Sequence, residues 1–107
     1  MPRGRPPKSE IRQNIVEILA ATKVPAYGYQ IFRVYRRIFP RATLRVLYYH
    51  LRKGITTGEF LIARVEEAKG EYSWGNTAEK VYYTLGPMAQ PKGDSRVQEF
   101  LAQREVQ

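Results

Sequence analysis

The sequence predicts an α+β domain: three helices, a two-stranded β-hairpin and a short closing helix. Three observations predict it. Apolar residues recur at helical spacing in three successive segments before Gly58. Two strand-like runs rich in Val, Ile, Tyr and Phe then flank a loop marked by Gly70 and Gly75. Lys and Arg crowd the first half of the chain, where the helices lie.

Residues 1–8 hold three prolines and no apolar anchor, which predicts an extended arm. Ser9 suits an N-cap and Glu10 the first turn of a helix running to Thr22, with Ile11, Ile15, Ile18 and Leu19 on one side. Lys23 closes it and Pro25 breaks it. The segment Pro25–Tyr29 reads as a turn into a second helix, Tyr29 to Ile38, whose buried side is Ile31, Val34, Tyr35 and Ile38. Arg33, Arg36 and Arg37 face elsewhere, either to clamp a phosphate backbone or simply to meet water. Phe39-Pro40 ends this helix. Thr43 is the expected N-cap of the third helix, which persists to Thr57 with Gly58 as its stop. Gly54 inside it costs about 1 kcal/mol relative to alanine, so the last turn is expected to bend or fray there.

Strands are expected at Glu59–Glu67 and Ala78–Leu85, with residues 68–77 as the loop. Gly86-Pro87 and Pro91-Lys92-Gly93 punctuate a linker. The last segment, Ser95–Val106, places Val97, Phe100, Leu101 and Arg104 on one side of a helix too short to stand without packing. The organisation expected is an arm (1–8), a central domain (9–88), and a linker with a short helix (89–107). Three helices followed by a hairpin is the order of a winged helix-turn-helix.

Charge narrows the function. The formal net charge is +8. Residues 1–53 hold twelve Lys and Arg against two acidic residues, and residues 54–107 hold six against eight. A surface polarised in this way suits a polyanion, because neutralising phosphates releases condensed counterions. Zero cysteines exclude disulfides and thiolate metal sites, and the single histidine, His50, reads as a polar spacer on the third helix. No apolar run approaches the ~18 residues that span a bilayer. No Ser/His/Asp arrangement, glycine-rich phosphate loop or paired carboxylates suggest an enzyme, and the acidic residues read as surface charges. No cofactor or metal is expected.

The third helix carries the sharpest signal. Leu44, Leu47, Tyr48, Leu51 and Ile55 fall on one side at 100° per residue. Arg41, Arg45, Tyr49 and Arg52 fall on another, with Lys53 at its edge. A guanidinium fork binds phosphate oxygens or the major-groove edge of guanine in bidentate fashion, so this face suits duplex DNA. A plain solvated basic face is the alternative. Helix-turn-helix logic gives Arg41 and Thr43 positioning roles, Arg45 and Tyr49 the base edges, and Arg52 and Lys53 phosphates. Lys8 and Arg12 are further phosphate candidates.

Several local strings resemble the PadR-like transcriptional regulators. Tyr27-Gly28-Tyr29-Gln30-Ile31 is similar to that family's turn into its second helix. Leu47-Tyr48-Tyr49-His50-Leu51 is similar to its recognition-helix core, Gly58 to the glycine that precedes the first wing strand, and Tyr82-Tyr83-Thr84-Leu85 to its second wing strand. The resemblance covers residues 10–88. Arg45-Val46 stands where the family often has Gly-Thr, Glu79 interrupts its basic approach to the second strand, and Gly86 replaces a threonine. The resemblance implies a DNA-binding homodimer joined through its C-terminal helix, here Val97, Phe100 and Leu101.

Pro2-Arg3-Gly4-Arg5-Pro6-Pro7-Lys8 is similar to an AT-hook core. Gly4 lets such an arm lie on the floor of a narrow minor groove while Arg3, Arg5, Pro6 and Lys8 follow it, and A·T tracts narrow that groove. A basic tail for non-specific phosphate binding is the plainer reading. The wing is acidic through Glu66, Glu67, Glu71 and Glu79, and Trp74 at its tip either folds back or meets a partner. The expected protein is therefore a double-stranded DNA-binding transcriptional regulator, homodimeric and cytoplasmic at the nucleoid. The other readings are a nucleoid-type architectural protein and a protein-interaction winged helix in a nucleoprotein complex.

Overall fold

A computed structural model describes residues 10–39, 42–72 and 75–106, with side chains placed for 10–39, 42–66 and 80–103. The basic arm, Arg41 and Trp74 lie outside the described residues. Along the chain run α1 (Glu10–Thr22), β1 (Ala26–Tyr27), α2 (Gly28–Ile38), α3 (Leu44–Thr57), β2 (Phe60–Tyr72), β3 (Gly75–Leu85) and α4 (Ser95–Val106). The strands form one antiparallel sheet in the order β1-β3-β2.

The expected α+β class and helix order hold, and the differences have local causes. β1 is too short to show alternation in sequence; it exists because Ala26 and Tyr27 pair with Tyr83 and Tyr82. The second helix starts one residue early, at Gly28, where the Tyr27 amide donates to Gln30 Oε1 at 3.2 Å. Most of the expected ten-residue loop is strand, with pairing continuing to Tyr72 opposite Gly75. Gly, Lys and Glu are weak strand formers, so here the ladder overrides propensity.

Ile62 pairs with Tyr83 and Arg64 with Tyr82, which leaves Ala63 as an extra residue, a β-bulge. The bulge changes which side the strand presents. Before it, Phe60 and Ile62 share the side of Leu85 and Tyr83; after it, Val65 pairs with Val81 on that side, while Arg64 and Glu66 join Tyr82 and Lys80 on the other.

Ile15, Val16, Ile18 and Leu19 of α1, Ile31 and Tyr35 of α2, and Leu47 and Leu51 of α3 meet Phe39, Phe60, Tyr83 and Val97 in one core. Val97 is fully enclosed by its own chain, so α4 belongs to the folded unit rather than trailing from it. Glu17 explains how α4 is held. It is buried, not a surface charge as expected, and accepts the amides of Lys92, Gly93 and Asp94 at 2.7, 2.9 and 3.2 Å and the Gln13 amide group at 2.9 Å. Asp94 then accepts from the Arg96 and Val97 amides and starts α4.

Gly54 does not fray the third helix. It is buried, and a Cβ there would overlap the ring of Phe60. Its missing side chain is the slot that lets β2 leave the helix close to the core. Gly54→Ala is therefore expected to destabilise the fold by about 1–3 kcal/mol through overpacking, against the ~1 kcal/mol that alanine gains as a helix former. Urea unfolding checks this; a raised midpoint would mean that helix propensity outweighs the clash.

Candidate nucleic-acid interface

The site is built on α3. Thr43 Oγ1 accepts the Val46 amide at 3.2 Å and fixes where the helix begins, while Gly58, in the left-handed conformation at φ 87°, closes it. Between these caps Leu47 and Leu51 are fully buried, and Arg45, Tyr49, Arg52 and Lys53 are exposed. Arg45, Tyr49 and Arg52 stand at i, i+4 and i+7, so one row of side chains faces outward. The first turn contains no acidic residue to oppose an anion at the helix N-terminus.

Two contacts set the roll of α3. Tyr48 turns towards α2, and its ring occupies the space that a Cβ at Gly28 would need. At the far end, Arg12 Nε donates to Glu59 Oε1 at 2.7 Å, and Thr57 Oγ1 donates to the same oxygen at 2.7 Å. Arg12 Nη1 also lies 3.4 Å from His50 Nδ1. A guanidinium only donates, so Nδ1 is the acceptor and neutral His50 carries its proton on Nε2. The His50 ring meets Tyr49 edge to face, with centroids 5.0 Å apart. Arg12, expected at phosphates, is thus buried behind the helix, and His50 is a bonded member of this network.

Other cations are arranged over aromatic rings. Arg64 lies 3.9 Å from the Tyr82 ring centroid and 3.3 Å from Glu66, and Lys80 lies 4.7 Å from the Tyr27 centroid. Arg36 stands 5.5 Å from the Phe32 centroid and Arg37 6.0 Å from that of Phe100. Arg33, Arg36 and Arg37 are all exposed. Arg64 stands outside the residues that the sequence singled out. Its signal was the cross-strand pairing with Tyr82, which only the bulge at Ala63 creates.

Of the residues expected to join two copies, Val97 has no surface left to give. Phe100 and Leu101 are half-buried and line a cleft of about 780 Å³ with Ile18, Ile31 and Val34, bordered by Arg33 and Arg37. Among the described residues no three His, Asp or Glu side chains group to hold a metal ion. None of the described helices is long and apolar enough to cross a membrane.

Helices α1–α3 with the β2–β3 hairpin following the third helix define a winged helix-turn-helix domain. The chain is similar to solved structures. A PadR family transcription regulator from Clostridium difficile R20291 is 21% identical, with a TM-score of 0.56 over 92% of this chain and 94% of that one. A PadR-like transcriptional regulator from Bacillus cereus strain ATCC 14579 is 18% identical, with a TM-score of 0.45 over 90% of this chain and 82% of that one. No protein-family model and no curated protein sequence matches the chain.

Acid should loosen this arrangement in two stages. Burial and then the Arg12 guanidinium hold the His50 pKa below its ordinary 6.5. The neutral form is the one the fold favours, so its contribution is full above 6.5 and is lost as pH falls through the lowered value. Burial pushes the Glu17 carboxyl up, but the hydrogen bonds from Lys92, Gln13, Gly93 and Asp94 outweigh it and leave the pKa below its ordinary 4.5. That contribution is full above 4.5 and is lost at lower pH. Urea midpoints across this range are expected to fall in both windows. Glu17→Gln should flatten the lower one alone; an unchanged acid limb would remove Glu17 as its cause.

Proposed function

We propose that this chain is a double-stranded DNA-binding transcriptional regulator. The observation that carries the proposal is the split of α3 into a fully buried side, Leu47 and Leu51, and an outward row of Arg45, Tyr49, Arg52 and Lys53 between two firm caps. A helix of this build fits the major groove, with Arg45 and Tyr49 towards base edges and Arg52 and Lys53 towards phosphates. Thr43 and Arg41 would position its start. The neighbour from Clostridium difficile R20291, a PadR family transcription regulator, agrees with this use of the fold.

The arm completes the reading. Arg3, Gly4, Arg5, Pro6 and Lys8 would lie in an adjacent A·T-rich minor groove. Two copies would take half-sites about one helical turn apart, with the cleft beside Phe100 and Leu101 as the seat of their contact. With duplex DNA as its target, the protein would work in the cytoplasm at the nucleoid.

Selection from random duplex DNA at about 150 mM salt, near physiological screening, tests the proposal. An enriched palindromic motif with A·T-rich flanks is the expected result, and a bound pool without a motif would favour an architectural protein. Arg45→Ala should cost about 1–3 kcal/mol on the selected site and relax preference at one position. Removing residues 1–8 should weaken binding chiefly where the flanks are A·T-rich. Equal losses on every sequence from both changes, measured by fluorescence anisotropy, would refute the division of labour.

A further inference from the structure

Seven large apolar side chains are exposed among the described residues, and three of them fall within five positions of β2. Leu61, Ile62 and Val65 are 47%, 51% and 51% exposed, whereas Val24, Tyr29, Tyr49 and Met88 are scattered over separate segments. β2 is also an outer strand, with β3 on one side only. A long outer strand with apolar side chains is a template for another strand unless charges deter it. Here the charges are self-complementary. Arg64 and Glu66 flank Val65, share the side of the sheet opposite the core, and are both about half exposed.

We propose that the outer edge of β2 pairs antiparallel with β2 of a second copy, about a two-fold axis at Val65. That register places each Arg64 opposite the partner's Glu66 and one Val65 against the other. An isologous contact requires such self-complementarity, and most other strands would meet Arg64 and Glu66 with a mismatch. The apolar side chains of Leu61 and Ile62 extend the covered area on either side of the axis. This contact is separate from α3 and from the cleft at α4, so it stands whether or not the chain reads DNA. If both self-contacts exist, two different two-fold axes on one chain join more than two copies, into a closed dihedral assembly where the axes intersect at a closing angle and an open row where they do not.

The absence of native cysteine makes the test site-specific. Directly opposed residues of an antiparallel pair hold their Cβ atoms about 5 Å apart, near the separation that a disulfide bridges. Val65→Cys in the full chain, under mild oxidation, is expected to form a covalent dimer, while the exposed control Met88→Cys stays monomeric on a non-reducing gel. Sedimentation equilibrium supplies the second arm. Arg64→Glu or Glu66→Arg alone should weaken self-association about tenfold, since two favourable pairs become two repulsive ones. The double exchange should restore it, and circular dichroism checks that each variant is folded. No Val65→Cys dimer, or an association insensitive to both charge reversals but lost on Phe100→Ala, would overturn the proposal.

Discussion

The ion pair between Arg12 and Glu59 is the constraint on which the exposed face of α3 depends. Its two side chains are largely shielded from water, at 10% and 18% exposure, and their 2.7 Å bond joins α1 to the turn where α3 becomes β2. Removing one member of such a pair strands the other charge, which typically costs about 3–5 kcal/mol. The neighbouring hydrogen bonds make it more than a staple. Thr57 shares the carboxylate oxygen and His50 faces the guanidinium, so the same arginine fixes the last turn of α3 and a ring at its middle. With Tyr48 held against α2 at the other side, the rotation of α3 about its own axis is determined from two directions.

Local chemistry made much of α3 legible in the sequence, and long-range pairing hid what supports it. Thr43 and Gly58 were readable because a capping hydroxyl and a left-handed glycine act within one turn. The exposure of Arg45, Tyr49, Arg52 and Lys53 followed from helical periodicity alone. Arg12 and Glu17 looked like any solvated charge. Their partners lie 47 residues away at Glu59 and about 75 away at Lys92–Asp94. Gly54 was read by propensity as a weak point, whereas a ring six residues later fills its space. In the sheet, alternation failed at Ala63, because one inserted residue inverts the pattern on which strand reading rests. Without that inversion Arg64 could not stack on Tyr82.

The distribution of charge acquires a structural sense. The basic first half of the chain supplies α1, α2 and α3, and among its described arginines Arg33, Arg36, Arg37, Arg45 and Arg52 are exposed while Arg12 is drawn inward. The second half is nearly balanced, and three of its four described cations are tied to rings or carboxylates, with Lys92 left exposed: Arg64 to Tyr82 and Glu66, Lys80 to Tyr27, Arg96 to Asp94 and Phe39. Cations already committed in this way are poorer long-range attractors of a polyanion than the free row on α3. The field that would orient an approaching duplex therefore comes from the helical half.

Val97 has a consequence for how this domain can change over generations. Its side chain closes the core from a helix that begins ten residues after the last strand. The boundary of the inherited unit thus lies beyond α4 rather than at the end of the sheet. Recombination that joined another domain after residue 88 would deliver a hydrophobic socket with its stopper missing. Additions beyond α4 would leave that seal intact, so this fold has room to grow at its C-terminal end but little to be trimmed there.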